Sequence, residues 1–219
     1  MTKLAVFDCD GTLVDGQAAI CETMEQAFEA AGLPLPDRNA VRRMVGLSLP
    51  QALDRLAPDA DSHRRAGVVE AYKSLYRERR VSGRLEEPLY EGIKPLIERL
   101  HASGLKLAVA TGKSDRGLSA CLASHNLTDR FISLQTADRH PSKPHPSMLA
   151  EAMADAEALP AETVMIGDTS YDMEMAVAAG TRAIGVAWGY HDPEELVAAG
   201  ADGVAHSMED LEAMIRGQS

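Results

Sequence analysis

Two aspartates near the start of the chain, Asp8 and Asp10, stand in the run Asp8-Cys9-Asp10-Gly11-Thr12-Leu13-Val14-Asp15. Residues two apart project to the same side of an extended chain, roughly 6.6 Å apart along it. So placed, one carboxylate can attack a phosphorus atom while the other exchanges a proton with the leaving oxygen. Gly11 lets the backbone turn sharply beside a ligand. The competing reading is an ordinary Asp-Gly turn at a strand end. Cys9 lies between the two acids, whose negative field disfavours a thiolate, so it is not read as a nucleophile.

Three further segments carry compatible chemistry. Ala110-Thr111-Gly112-Lys113-Ser114 offers a hydroxyl and free backbone N–H groups at a helix start, which suit a phosphate. Taken alone it reads first as a plain helix cap. Ser142-Lys143-Pro144-His145-Pro146 offers Lys143, a compact cation on a proline-stiffened loop that can pair with phosphate and screen carboxylates. A lone loop lysine is otherwise a solvated one. His140 and His145 have no further Cys or His beside them, which argues against zinc. Ile166-Gly167-Asp168-Thr169-Ser170-Tyr171-Asp172 sets two acids four residues apart, able to share one helix face. Oxygen ligands of this kind suit magnesium, although Asp172 alone is also a favourable acid near a helix N-terminus. Two unscreened charges 4 Å apart repel by about 4 kcal/mol at an effective dielectric near 20. Gathering Asp8, Asp10, Asp168 and Asp172 therefore calls for cations, and Mg2+ and Lys143 supply them.

The elements around these segments place them together. Lys3 to Asp8 is an apolar run that suits a buried parallel strand. Helical spacing follows from about Gln17 to Ala31 and stops at Gly32 and Pro34. Shorter helical pieces come next, roughly over 37–45, 49–57 and 62–80, then a linker around Ser82-Gly83 and Glu87-Pro88. After Pro88 helices and strands alternate. Helices are expected over Ile93–Ser103, Ser114–Ser124, Pro146–Ala158, Ser170–Ala179 and Met208–Ile215. Strands are expected over Leu105–Ala110, Phe131–Leu134, Thr163–Ile166 and Ala183–Val186. This alternation predicts an α/β fold, a doubly wound parallel sheet with a Rossmann-like core and an inserted α-helical cap domain. The core is assigned to 1–14 and 88–219, the cap to 15–87. Ligands in such folds bind beyond the carboxyl ends of the strands, where all four segments fall.

Bulk properties exclude several classes. The 219 residues allow one substantial core and a modest second module. A net charge of −11 disfavours binding to a nucleic-acid backbone. Membrane association is not expected, because apolar runs fall short of the ~20 residues of a spanning helix. The N-terminal apolar stretch is too short for a signal peptide, so the expected location is cytoplasmic. Cys9, Cys21 and Cys121 suggest neither a disulfide framework nor a metal site. No internal repeat stands out.

The four motifs, DCDGTLVD, VATGKS, SKPHP and GDTSYD in that order, resemble the haloacid dehalogenase superfamily, in the branch with a helical cap after the first strand. Within it the likeness is to phosphoglycolate phosphatase-like proteins. The resemblance implies a phosphoric monoester hydrolase acting on a small phosphorylated metabolite through a phospho-aspartate, with 2-phosphoglycolate as candidate substrate. Asp8 would be the nucleophile and Asp10 the general acid and base. Thr111 and Lys143 would hold phosphoryl oxygens, with backbone contact from Gly112. Mg2+ would be bound by the Asp8 side chain, the Asp10 carbonyl and Asp168; Asp172 would act through water or as a support for Lys143. Asp10 argues for phosphate esters, since dehalogenases and phosphonate hydrolases lack it. Cap contacts to substrate are expected from Arg43 and Gly46, in the stretch Arg42 to Ser48, although an arginine pair there also reads as a solvated helix face. The rivals are a sugar phosphomutase of the β-phosphoglucomutase kind, a non-catalytic binding relative and a receiver-like module. A monomer or homodimer is expected.

Overall fold

The computed structural model describes residues 2–217. The chain begins with strand β1 (Leu4–Phe7) and then leaves the sheet for four helices: α1 (Gln17–Ala30), α2 (Arg38–Met44), α3 (Leu49–Leu56) and α4 (Ser62–Val81). It returns through α5 (Ile93–Ala102), β2 (Lys106–Thr111), α6 (Asp115–Ser124), β3 (Ser133–Thr136) and α7 (Ser147–Ala156). The remainder is β4 (Thr163–Gly167), α8 (Ser170–Ala179), β5 (Arg182–Val186), α9 (Pro193–Ala198), β6 (Gly203–Ala205) and α10 (Met208–Arg216).

The six strands are all parallel in the order β3-β2-β1-β4-β5-β6. Successive residues of β1 point to opposite faces, so Ala5 and Phe7 enter one apolar layer and Leu4 and Val6 the other. The first layer is closed by Leu96, Leu100, Leu118, Leu122, Leu211 and Ile215 from α5, α6 and α10. The second is closed by Met148, Leu149, Ala152, Met173 and Ala176 from α7 and α8, with Leu196 from α9. Both faces are buried, which explains why the strands read as continuous apolar runs. From β1 the chain builds β2 and β3 on one side, then crosses back to lay β4, β5 and β6 on the other. The switch point lies between β1 and β4, the place where such a sheet opens a crevice at its carboxyl edge.

The helices α1 to α4 have an apolar cluster of their own, centred on Met24, Phe28, Val41, Leu53 and Val68. Their two connections to the sheet run side by side. Val14 bridges Leu89, and the Asp15 N–H donates to the Pro88 carbonyl at 2.8 Å. No helix among the described residues is long and apolar enough to cross a membrane.

Two local expectations shift. The strand expected over Phe131–Leu134 lies at Ser133–Thr136, in register with Ala108–Thr111. Its polar residues hide it from apolar patterning. Ser133 Oγ donates to Asp155 at 2.7 Å and Gln135 Nε2 to the same carboxylate at 3.0 Å, so they can be buried without loss. Apolar patterning predicts neither α9 nor β6: a helix of six residues and a strand of three are too short for a periodic signal.

Candidate active site

Four loops at the carboxyl edge of the sheet converge. Asp8 directly follows β1, and its N–H still pairs with the Ile166 carbonyl at 2.9 Å, so the nucleophile candidate stands on the rigid end of a central strand. Asp168 follows β4, across the switch point. Thr111 ends β2, and Lys143 lies in the loop between β3 and α7.

Lys143 is completely buried and bridges two of the acids. Its Nζ is 3.0 Å from Asp8 Oδ1 and 2.6 Å from Asp172 Oδ1. Burial pushes this ammonium down, but the Asp172 and Asp8 carboxylates outweigh that and hold it above its usual range. It is charged, and it is the counter-ion that the clustered acids require. Asp8 Oδ1 also accepts the Cys9 N–H at 2.7 Å. Asp8 Oδ2 is buried with no hydrogen-bond partner among the described residues. Burial raises the Asp8 carboxyl to about 7, against the pull of Lys143 and with the repulsion of Asp172.

Asp168 and Asp172 are held by their surroundings. Asp168 accepts Thr12 Oγ1–H at 2.9 Å on one oxygen and the Tyr190 N–H at 2.9 Å on the other. Burial, then Asp8 and Asp172, raise its carboxyl well above the usual range. Asp172 turns back onto the start of α8, where Oδ2 accepts the Thr169 N–H at 3.1 Å and Thr169 Oγ1–H at 2.7 Å. One carboxylate oxygen from each of Asp8, Asp168 and Asp172 lies within 4.8 Å of the others. Three acids, one lysine and an unpartnered buried oxygen fit a hard divalent cation such as Mg2+.

Asp10 turns toward the returning linker. Its Oδ1 lies 2.9 Å from Lys113 Nζ, which is also 2.6 Å from Glu87 Oε1. Burial raises the Asp10 carboxyl, and Lys113 counters it.

Between helices and sheet lies a cavity of about 810 Å3, lined by Asp8, Asp10, Thr111, Gly112 and Lys113 below and by Gly46, Met24, Leu49 and Tyr72 above. Gly46 thus reaches the cavity with its neighbour Leu47. A side chain on Gly112 would meet the Leu47 carbonyl at 2.5 Å and the Gly46 carbonyl at 2.8 Å. Only glycine allows the two backbones this approach. Ser48 N–H donates to Ser142 Oγ at 2.7 Å, one residue from Lys143. Arg43 goes elsewhere. Its guanidinium forks onto Glu195 at 2.6 and 3.1 Å on the outer surface, outside the residues that line the cavity. An acidic partner in reach on α9, absent from the expected elements, draws it there. Arg43 thus clasps helices to core, and the Arg43 carbonyl accepts Tyr171 Oη–H at 3.1 Å. His191 Nδ1 accepts the Ser170 N–H at 3.2 Å, so its Nε2 carries the proton and donates to the same carbonyl, also at 3.2 Å.

Lys113, Glu87 and the loop Trp188–His191 are parts of the site that carried no sequence signal as such. Lys113 stands out only as a member of VATGKS, while Glu87 reads as linker and the 188–191 loop begins 16 residues beyond the motif it supports. His140 and His145 are structural: the His140 ring bonds Ser147 Oγ and Gln135 Oε1, both at 2.8 Å, and His145 Nδ1 accepts the Ser147 N–H at 3.2 Å. The three cysteines are free and buried. The Cys121 sulfur, 4.0 Å away, and burial hold the Cys9 thiol well above its usual range.

A carboxylate pair, a buried lysine and a cluster of three acids at the switch point of a parallel sheet suit group-transfer chemistry. Comparison with known proteins makes this specific. The family model described as "Haloacid dehalogenase-like hydrolase" matches residues 5–186. The "Probable phosphatase IndB" of Dickeya dadantii (strain 3937) is 37% identical over 202 residues, covering 91% of this chain and 87% of that protein. A "Phosphoglycolate phosphatase" of Vibrio vulnificus (strain CMCP6) is 30% identical over 218 residues, covering 95% and 94%. Among solved structures, "a predicted phosphatase from Clostridium acetobutylicum" superposes with a TM-score of 0.89 at 25% identity over 99% of both chains. The chain belongs to the haloacid dehalogenase-like hydrolase family and is an enzyme of its phosphatase group.

Proposed function

We propose that this enzyme is a magnesium-dependent phosphatase that hydrolyses a small phosphate monoester through a phospho-aspartate on Asp8. The observation that carries the reading is Asp8 itself: one oxygen is fixed by Lys143 and the Cys9 N–H, the other is buried and unpartnered, and the residue faces the cavity it shares with Asp10.

In the first half-reaction an Asp8 oxygen attacks phosphorus and the bond to the ester oxygen breaks. Asp10 donates its proton to that leaving oxygen, a task favoured by the upward shift that burial imposes on it. In the second, water attacks phosphorus, Asp10 takes a proton from it, and inorganic phosphate and the free Asp8 carboxylate result. Thr111 and Lys143 hold phosphoryl oxygens, and Gly112 brings a backbone N–H to them. Lys143 meets negative charge on the transferring group, the main protein contribution to such reactions. Asp8, Asp168 and the Asp10 carbonyl would hold Mg2+, which supplies charge neutralisation at the phosphoryl group. Asp172, whose oxygens are taken by Lys143 and Thr169, supports the lysine. Residues 15–87 act as the cap that shields the phospho-aspartate from bulk water.

The relatives' names suggest 2-phosphoglycolate. The cavity is in the upper part of the roughly 300–1,000 Å3 range of small-molecule sites, so larger monoesters also fit. The test is phosphate release from a panel of monoesters, with 2-phosphoglycolate included, with and without Mg2+, beside Asp8→Asn. Mg2+-dependent release that the substitution reduces at least 1,000-fold is the expected result, on the order of a lost essential nucleophile. No release from any ester overturns the reading. A hexose 1-phosphate converted to its isomer instead of free phosphate would assign the chain to the sugar phosphomutases.

A further inference from the structure

The proton-exchanging residue of the reading above is not free in the cavity. Lys113 Nζ stands 2.9 Å from Asp10 Oδ1 and 2.6 Å from Glu87 Oε1. Glu87 is in turn tied from three sides. Arg80 Nη2 donates to its Oε2 at 2.7 Å, Tyr76 Oη–H to its Oε1 at 3.0 Å, and its backbone carbonyl meets His125 Nε2 at 2.8 Å. Arg80 reaches across to the Gly117 carbonyl as well, at 3.1 Å. The side chains of Lys113 and Glu87 are each only 8% exposed. Two carboxyl groups and two cations thus form one chain of charge contacts, Asp10–Lys113–Glu87–Arg80. Such a chain is expensive to desolvate and costly to break at any single member.

Its placement is informative. Thr111 and Gly112 occupy the floor of the cavity, and Lys113, the next residue, sends its ammonium to carboxylates on both sides. Tyr76 and Arg80 come from α4, and Glu87 from the segment that returns the chain from the cap to the sheet. A cation that only neutralised the linker would not need to touch Asp10; one that only bound substrate would not be committed to two carboxylates.

We propose that Lys113 is a positioning residue for proton transfer: it fixes the Asp10 carboxylate at the cavity wall, and Glu87, braced by Tyr76 and Arg80, fixes Lys113. The inference rests on the assignment of proton exchange to Asp10 made above. It makes the position of the acid–base group a property of the returning linker as well as of the catalytic loop.

A double-mutant cycle tests it, with p-nitrophenyl phosphate as substrate so that slow variants stay measurable. Lys113→Met is expected to lower kcat by about 100-fold, the low end of what general acid–base catalysis contributes, with KM within about threefold. In an Asp10→Asn background the same substitution is expected to lower kcat no further, because the group it positions is already gone. Glu87→Gln keeps the lysine and loosens its anchor; it is expected to lower kcat about tenfold, again only when Asp10 is present, and it serves if Lys113→Met does not fold. A rise in KM at unchanged kcat would make Lys113 a substrate contact and overturn the proposal. Losses that multiply in the Asp10→Asn background would make it a purely structural residue and also overturn it. A wild type without phosphatase activity, or an Asp10→Asn enzyme as fast as wild type, would instead overturn the proposed function and this inference with it.

Discussion

At the scale of single residues the site is an electrostatic problem that burial sharpens and one lysine partly relieves. Three carboxylates share a small volume at the end of β1 and β4, and Lys143 touches two of them. In the metal-free protein this leaves a cost. Burial lifts Asp8 to about 7, Lys143 opposing and Asp172 adding, and Asp168 is lifted as well. An acid whose pKa is raised on folding keeps its proton in the native state after the unfolded chain has lost it. The stability it contributes is complete below the unfolded value and is lost as pH rises through the folded one. Metal-free protein is therefore expected to lose stability from these groups between about pH 4 and pH 7. A bound divalent cation removes the cost by meeting the ionised forms. Thermal melts should show Mg2+ raising Tm clearly at pH 7.5 and little at pH 5, and Asp168→Asn should abolish the increment. An increment that ignores pH would contradict this account.

At the scale of elements, the approach of the loop after α2 to the loop after β2 decides the shape of the cavity. Gly46 has φ +96, open to glycine and strained for other residues, and it aims its carbonyl and that of Leu47 at Gly112. Gly112→Ala would place a methyl 2.5 Å from a backbone oxygen, and one of the two loops must move. Because displacements near 1 Å can cost about 100-fold in rate, kcat/KM is expected to fall between about tenfold and 100-fold. The fold should persist, since Gly112 lies outside the apolar clusters. Steady-state kinetics beside a thermal melt separate the two effects; unchanged kinetics would show that the loops tolerate a wider gap.

At the scale of the whole molecule, helices and core meet on two sides. On one side run the paired connections at Val14–Asp15 and Pro88–Leu89. On the other, Arg43 forks onto Glu195, while Arg55 Nη1 donates to Tyr171 Oη at 2.8 Å. The Arg43–Glu195 pair is half-exposed, so its worth is about 0.2–1 kcal/mol even with good geometry. Arg43→Ala is expected to leave Tm within about 2 °C and to raise KM severalfold by loosening the clasp, with Glu195→Ala doing the same and the double variant no more than either. Effects that add would show that the two side chains act separately.

The chain sequence by itself determined four of the six strands, the longer helices and the four motifs, because buried parallel strands must read as apolar runs and catalytic loops must follow them. Asp8 and Asp168 were legible for that reason, each one residue beyond an apolar strand, while Lys143 stood out only through its loop motif Ser142-Lys143-Pro144. Thr111 and Gly112 were legible by the same logic. Tertiary structure decided what no local pattern records. It sent Arg43 to Glu195, since the α9 residue that captures it lies 152 positions away. It made Lys113 a partner of Asp10 and Glu87, since those three meet only after the linker has returned beside the first loop. It brought Tyr190 N–H to Asp168 across 22 residues, through a loop with no periodic signature. Local patterning reports which face of an element is buried; which charges meet at its end depends on the closure of the fold around them.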